Sequence, residues 1–208
     1  MQKLIFSVVA IIAVVAGVVI FNSLPQPKPQ ALVYNPPRQM EPFILEAHNG
    51  GPVTNADLTG QWTFLFTGYT SCPDICPTTM ADFKKILPQL ASVADRPVKV
   101  WMISVDPQRD TLQRLADYTT YFGTEFMGVR AEHKDLYPFV NGLGLMYSIP
   151  DEGEVDYLVN HSSAIVLVNP QGERHAIFKS SQTPGKLPTV DMQQMLEDFQ
   201  LITQQYHD

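Results

Sequence analysis

The feature that most narrows the folds open to this chain is the stretch QWTFLFTGYTSCPDICPTTMADFKKILPQL, residues 61 to 90. Gln61 to Tyr69 is a compact apolar run of the kind buried strands use. After it, Met80, Phe83, Leu87 and Leu90 recur at helical spacing. Pro77 suits the first turn of that helix, where its missing N–H would have no partner anyway. A second apolar run, VKVWMISV (Val98 to Val105), predicts another strand. Strand, loop, helix and strand in that order predict a parallel pair with a right-handed crossover, the core of an α/β sandwich.

The rest of the chain extends this pattern. DPQRDTLQRLADYTTYF begins a second helix with Asp110 as its expected N-cap and Leu112, Leu115, Ala116 and Phe122 on one face. FMGVR reads as a short strand, EHKDLYPFVNGLG as a broken helix, and HSSAIVLVNPQGERHAIFKSS as two strands turning at Asn169 to Gly172. Met192, Met195, Leu196 and Phe199 mark a last helix. PFILEAHNGGPVT is a hairpin around Asn49-Gly50-Gly51, expected at the entrance of the domain. There is no internal repeat. The expected fold is thioredoxin-like: a central mixed sheet, an N-terminal hairpin, and a cysteine loop between a central strand and the start of a helix.

Ahead of this body lies LIFSVVAIIAVVAGVVIF, Leu4 to Phe21, eighteen residues without charge. At a rise of about 1.5 Å per residue it spans roughly 27 Å, close to the hydrocarbon thickness of a bilayer. A cleaved signal peptide has a shorter apolar region followed by small residues, whereas Phe21 and Asn22 stand here. The segment is therefore expected to be an uncleaved transmembrane anchor. Lys3 biases the N-terminus to the cytoplasm and the body to the periplasmic, extracytoplasmic side of the inner membrane. Proline-dense NSLPQPKPQALVYNPPRQ follows and reads as an extended spacer. Residues 1–23 are thus expected to be the anchor, 24–40 the linker and 41–208 the folded domain. A net charge of −7 without a basic cluster excludes a nucleic-acid partner, which would require basic groups against phosphates.

Cys72 and Cys76 are the only cysteines. A disulfide across so small a ring would stabilise by only about 2 kcal/mol on the chain-entropy model, so a purely structural clip is the weakest reading. As a redox pair, Cys72 would be the attacking thiol, favoured as thiolate by the helix N-terminus, and Cys76 the resolving one. As a metal site, positions i and i+4 of a helical turn would place two sulfurs side by side for a soft cation such as copper(I). A closed zinc site would have to recruit two further ligands. Of His48, His133, His161, His175 and His207, position favours His161. It opens HSSAIVLV, a strand whose start should lie beside the cysteine loop.

GYTSCPDICPTTM, ISVDPQRDT and YLVNHSSAIVLVNPQG, in that order, together closely resemble the Sco/SenC family of membrane-anchored, thioredoxin-like proteins, from about Pro42 to the terminal helix. The resemblance implies a metallochaperone and not an enzyme, with Cys72, Cys76 and His161 as ligands for copper(I) and copper(II). It implies delivery to the copper A site of cytochrome c oxidase subunit II, or to another copper protein. It also implies a secondary reduction of the target's cysteines, with a thioredoxin-like reductant as a further partner. The alternative is a periplasmic thiol-disulfide oxidoreductase using Cys72 and Cys76. Asp106 matches an acidic position thought to support the site, with a plain turn former as the competing reading. Asp74 could modulate charge between the cysteines or be a solvated turn carboxylate, and Arg109 and Asp110 could pair with each other. Asn160 stands where family members often carry aspartate, which removes a charge next to His161.

Overall fold

The computed structural model describes residues 2–23, 27–149, 157–181 and 187–206, and within the first helix only some of the side chains. Among these residues the strands are β1 (Leu32–Arg38), β2 (Ile44–Ala47), β3 (Pro52–Thr54), β4 (Trp62–Gly68), β5 (Val98–Ser104), β6 (Phe126–Arg130), β7 (Ile165–Val168) and β8 (Arg174–Phe178). The helices are α1 (Gln2–Ser23), α2 (Ile75–Val93), α3 (Leu112–Thr120), α4 (His133–Gly142) and α5 (Met192–Gln205). The strands make one mixed sheet in the order β1-β8-β7-β4-β5-β6-β2-β3. β4, β5 and β6 run parallel, and β7 returns antiparallel against β4. The mixed α/β, thioredoxin-like architecture expected from the strand and helix order is the one observed.

β4 is buried at all seven positions, because helices cover both faces of the sheet and neither face can be polar. Its side chains still alternate with the pleat. Trp62, Phe64 and Phe66 enter one core with Phe83 of α2 and Phe199 of α5. Phe64 lies 5.5 Å from Phe83 and 5.2 Å from Phe199, ring centroid to centroid. Leu65 enters the opposite core with Trp101, Ile103 and the α4 residues Leu136 and Val140. Each such side chain contributes about 1.5–3 kcal/mol when fully buried. The strand that leads into the cysteine loop is therefore firmly held in the sheet.

Two expectations change. The spacer was expected to run to residue 40, but Leu32–Arg38 is β1, paired antiparallel with β8 at the sheet edge. Its prolines hid it: Pro36 and Pro37 cannot donate to a ladder, which restricts such a strand to an edge. The register accordingly shifts between Val33 and Arg38. The hairpin β2–β3 also sits elsewhere than at the entrance. It pairs with β6 and completes the far edge, three strands away from β4.

Just ahead of β1, the carboxylate of Asp198 on α5, 2 % exposed, accepts the backbone N–H of Gln30 and of Ala31, each at 2.8 Å. The polypeptide is thus fastened to the body at residues 30–31. Gln2–Ser23 forms a single α-helix, while among the described residues no helix is long and apolar enough to cross a membrane.

Removing the Asp198 carboxylate leaves two backbone donors without their partner, at about 1–3 kcal/mol. We expect Asp198→Ala to lower the urea-unfolding free energy by about 2 kcal/mol and to abolish the hydrogen-exchange protection of the Ala31 amide.

Candidate metal centre

β4 ends at Gly68, where the chain must leave the sheet and enter α2 within six residues. The carbonyl of Gly68 accepts Val105 N–H at 2.9 Å and that of Tyr69 accepts Cys72 N–H at 3.2 Å. The turn brings the first helical N–H groups back over the loop, and Cys76 N–H points at Cys72 Sγ, 3.5 Å away. Cys76 lies in the first turn of α2 and is 1 % exposed, whereas Cys72, ahead of the helix, is half-buried. Cys72 is thus the outer sulfur and Cys76 the inner one. Gly68 makes room for the inner sulfur. A Cβ there would lie 3.2 Å from Cys76 Sγ and 3.3 Å from Met102 Cγ and Sδ.

His161 arrives from the opposite direction. β7 begins only at Ile165, so the histidine precedes the strand and is held by an isolated antiparallel bridge to Tyr147. Because Phe66 pairs with Ile165, the residues before β7 pass beside the end of β4. His161 Nε2 lies 3.7 Å from Cys76 Sγ. Donor atoms of Cys72, Cys76 and His161 all fall within 4.8 Å of one another, the one such group of three His, Cys, Asp or Glu among the described residues. Two soft thiolates with one imidazole suit copper better than a hard cation.

The two thiols are electrostatically unequal. The hydrogen bond from Cys76 holds Cys72 down at about 3, against an ordinary value of 9.0; burial opposes this, and His161 and the N–H groups of Asp74 and Cys76 add to it. Cys76 is pushed strongly up, first by that same hydrogen bond and then by burial. Both shifts favour a single proton on the inner sulfur with the outer one as thiolate. Cation binding would have to expel it.

Two buried aspartates hold the loops that carry the donors. Asp110, expected to cap α3, is fully buried, and the cap is Thr111, whose side chain accepts Arg114 N–H. Asp110 instead receives Thr70 N–H at 3.0 Å, the Thr70 hydroxyl, and the Ser104 hydroxyl at 2.6 Å. It ties the cysteine loop to the end of β5. Asp106, 1 % exposed, pairs with Arg109, so Arg109 is not the partner of Asp110. Asp106 also accepts the Tyr157 hydroxyl at 2.7 Å. Burial, and then this hydrogen bond, push Tyr157 up to about 12, which keeps it a donor. Arg109 stacks on Tyr157, with Cζ 3.7 Å from the ring centroid. Tyr69 closes the circuit by accepting Val159 N–H at 3.3 Å and meeting the His161 ring edge to face at 5.9 Å.

The remaining candidates stand outside this group. Asp74 is exposed and makes no side-chain cap hydrogen bond to α2. Asn160 is exposed and contributes its backbone, the carbonyl accepting Ser148 N–H at 2.8 Å. His48 Nδ1 accepts Gly128 N–H, His133 Nδ1 meets the Tyr147 hydroxyl, and His175 is buried beside Trp62 and Tyr206. His207, and residues 151–156 of the loop before Tyr157, lie outside the described residues. Thr67, Gly68, Tyr69 and Tyr157 are neighbours of the site that sequence reasoning missed. The signal for Thr67 was available, since a threonine in a buried, mostly apolar central strand must find a partner.

The crevice at the site is about 10 Å³, lined by Thr67, Cys76, His161 and Ser162 among others. That is room for one small ion or water. A wider groove, about 1140 Å³, runs between the β2–β3 hairpin and α4 and shares none of these residues.

The fold and the site together define a thioredoxin-like domain with a candidate soft-metal centre of two sulfurs and one imidazole. The chain belongs to the SCO1/SenC family, which it matches over residues 33–204. It is similar to the human protein SCO1 homolog, mitochondrial, with 29% identity over 148 residues, and to the human protein SCO2 homolog, mitochondrial, with 35% over 132. These matches cover 70% and 62% of this chain but only about half the length of either relative. Among solved structures it is similar to Arabidopsis thaliana ScoI with copper bound, at 27% identity and a TM-score of 0.70, covering 80% of this chain and 99% of that one. It is also similar to Bradyrhizobium japonicum ScoI with copper bound, at 26% identity and a TM-score of 0.62, covering 81% and 99%.

The thiol inequality has a direct readout. Because Cys72 is already thiolate, its alkylation by iodoacetamide in the reduced, metal-free protein is expected to stay flat from about pH 5 to 8, where an ordinary thiol speeds up nearly tenfold per pH unit. Cys76 is expected to resist modification throughout.

Proposed function

We propose that this chain is a membrane-tethered metallochaperone that carries copper on Cys72, Cys76 and His161 and passes it to the copper A site of cytochrome c oxidase subunit II. The observation that carries this reading is the convergence of two sulfurs and one imidazole nitrogen within 4.8 Å, from segments almost ninety residues apart. Family membership supports it, as do the copper-bound relatives of the same fold.

In this reading copper is the cargo. The buried Cys76 and the restrained His161 form the inner side of the site, and the half-buried Cys72 the outer side. Copper(I) loading displaces the proton shared by the sulfurs, and the same three donors accept copper(II). Release starts at Cys72. An incoming thiolate or imidazole of the acceptor replaces the outer sulfur first, then the histidine, then the inner sulfur. No turnover of a substrate is required. The uncharged sequence run Leu4 to Phe21 supports the anchor, and Lys3 ahead of it supports a domain on the periplasmic face of the inner membrane. Tethering there would raise the local concentration of the domain near a membrane-bound acceptor without any new contact.

The inequality of the thiols favours a second reading, a thiol-disulfide reductase in which Cys72 attacks and Cys76 resolves. The histidine separates the two. When the full-length, reduced protein is titrated in detergent with copper(I) and copper(II), we expect one equivalent to bind, with thiolate charge-transfer bands for copper(II). Cys72→Ser, Cys76→Ser and His161→Ala are each expected to lose stoichiometric binding. His161→Ala should nonetheless retain dithiol exchange with a small disulfide. A wild type that exchanges disulfides but binds no copper would leave the reductase in place. The tether is checked separately: the protein should sediment with membranes, and protease added to intact spheroplasts should remove the domain.

A further inference from the structure

The imidazole of His161 has two nitrogens, and only Nε2 faces Cys76. What decides that this nitrogen carries a lone pair and not a proton lies on the other side of the ring. Nδ1 is 3.1 Å from the carbonyl oxygen of Ser162 and 3.3 Å from Oγ1 of Thr67. The carbonyl has no proton. Thr67 has one, but its hydroxyl donates it to the same Ser162 carbonyl, at 2.8 Å. Thr67 is 2 % exposed, so water does not readily replace these partners. A lone pair on Nδ1 would face two oxygens with no proton to offer, whereas an Nδ1–H satisfies both. In a neutral imidazole a proton on one nitrogen leaves the other as acceptor or ligand.

We propose that Thr67, acting with the Ser162 carbonyl, fixes His161 as the Nδ1–H tautomer and so aims the Nε2 lone pair into the sulfur pair. Thr67 is a positioning residue and touches no cargo. It resembles the outer partners of metal-bound histidines in general, which set ring orientation and basicity and whose loss costs about 10–100-fold in metal affinity. The arrangement follows from sheet register. β4 and β7 are antiparallel with Phe66 opposite Ile165, which carries Thr67 alongside the residues that precede β7. This inference rests on the reading that Nε2 is a copper ligand, but its first consequence concerns the metal-free protein.

The test uses full-length, reduced, metal-free protein in detergent micelles with 15N-labelled histidine. Long-range 1H–15N correlation should show Nδ1 of His161 as the protonated nitrogen and Nε2 as the unprotonated one. In Thr67→Val a methyl replaces one of the two acceptors, and the two nitrogen shifts are expected to converge as tautomers mix. Copper(I) affinity, measured in competition with a chromophoric chelator, should fall about tenfold or more. Thr67→Ser keeps the hydroxyl and should restore both properties. A proton on Nε2 in the wild type overturns the inference, and that measurement needs no variant to fold. A folded Thr67→Val with unchanged shifts and affinity also overturns it. If the tautomer behaves as stated while the wild type binds no copper, the positioning role of Thr67 stands and the copper reading alone fails.

Discussion

The pairing of Phe66 with Ile165 governs everything that happens at the end of the sheet. β4 runs out toward the cysteine loop while β7 runs in from the histidine loop, so the two functional segments meet at one margin of an antiparallel pair. A slip of one residue would turn every side chain of β7 to the opposite face. Val166 and Val168 belong to one core and Ile165 and Leu167 to the other, so such a slip would misplace both layers at once. The burial of two apolar faces thus sets a polar geometry several residues away, one that no local preference of the Cys72 to Cys76 loop could specify.

Around this margin, charge is used sparingly and indoors. Asp110 and Asp106 are both buried, four residues apart in the loop leading to α3, and each restrains a different partner: the first holds the turn before Cys72, the second holds Tyr157 ahead of His161. Neither carboxylate belongs to the cluster of donor atoms. A buried charge is tolerated only when its lone pairs are satisfied, and here hydroxyls, backbone N–H groups and Arg109 satisfy them. The same economy explains the sulfurs. One proton between two thiols lets the outer one bear the charge without leaving two thiolates facing each other in a half-buried site.

Much of this was legible in the chain. Apolar runs gave β4, β5 and β7, helical spacing gave α2 and α5, and Asn-Gly-Gly gave the β2–β3 turn. His161 could be singled out because, in a thioredoxin-like sheet, the segment leading into β7 lies beside the cysteine loop. What stayed hidden was non-local or out of pattern. β1 was missed because Pro36 and Pro37 read as spacer, and only the open edge beside β8 tolerates them. Asp110 had the spacing of a cap, yet burial and the neighbouring Thr70 and Ser104 draw it inward, and Thr111 takes the capping role. Thr67 and Tyr157 act through partners some ninety and fifty residues distant, which no periodicity reveals.

The fastening of Gln30 and Ala31 by Asp198 has a mechanical consequence. With α1 seated in a bilayer as proposed, the steps from Ser23 to Gln30 could span at most roughly 25 Å even if fully extended. A body of this size has a radius of gyration of about 15–16 Å, so it can roll and pivot over the lipid surface but cannot lift a full diameter away from it. On that reading an acceptor would have to offer its receiving groups within that thin shell, and lengthening the chain ahead of Gln30 would thicken the shell without touching a single donor.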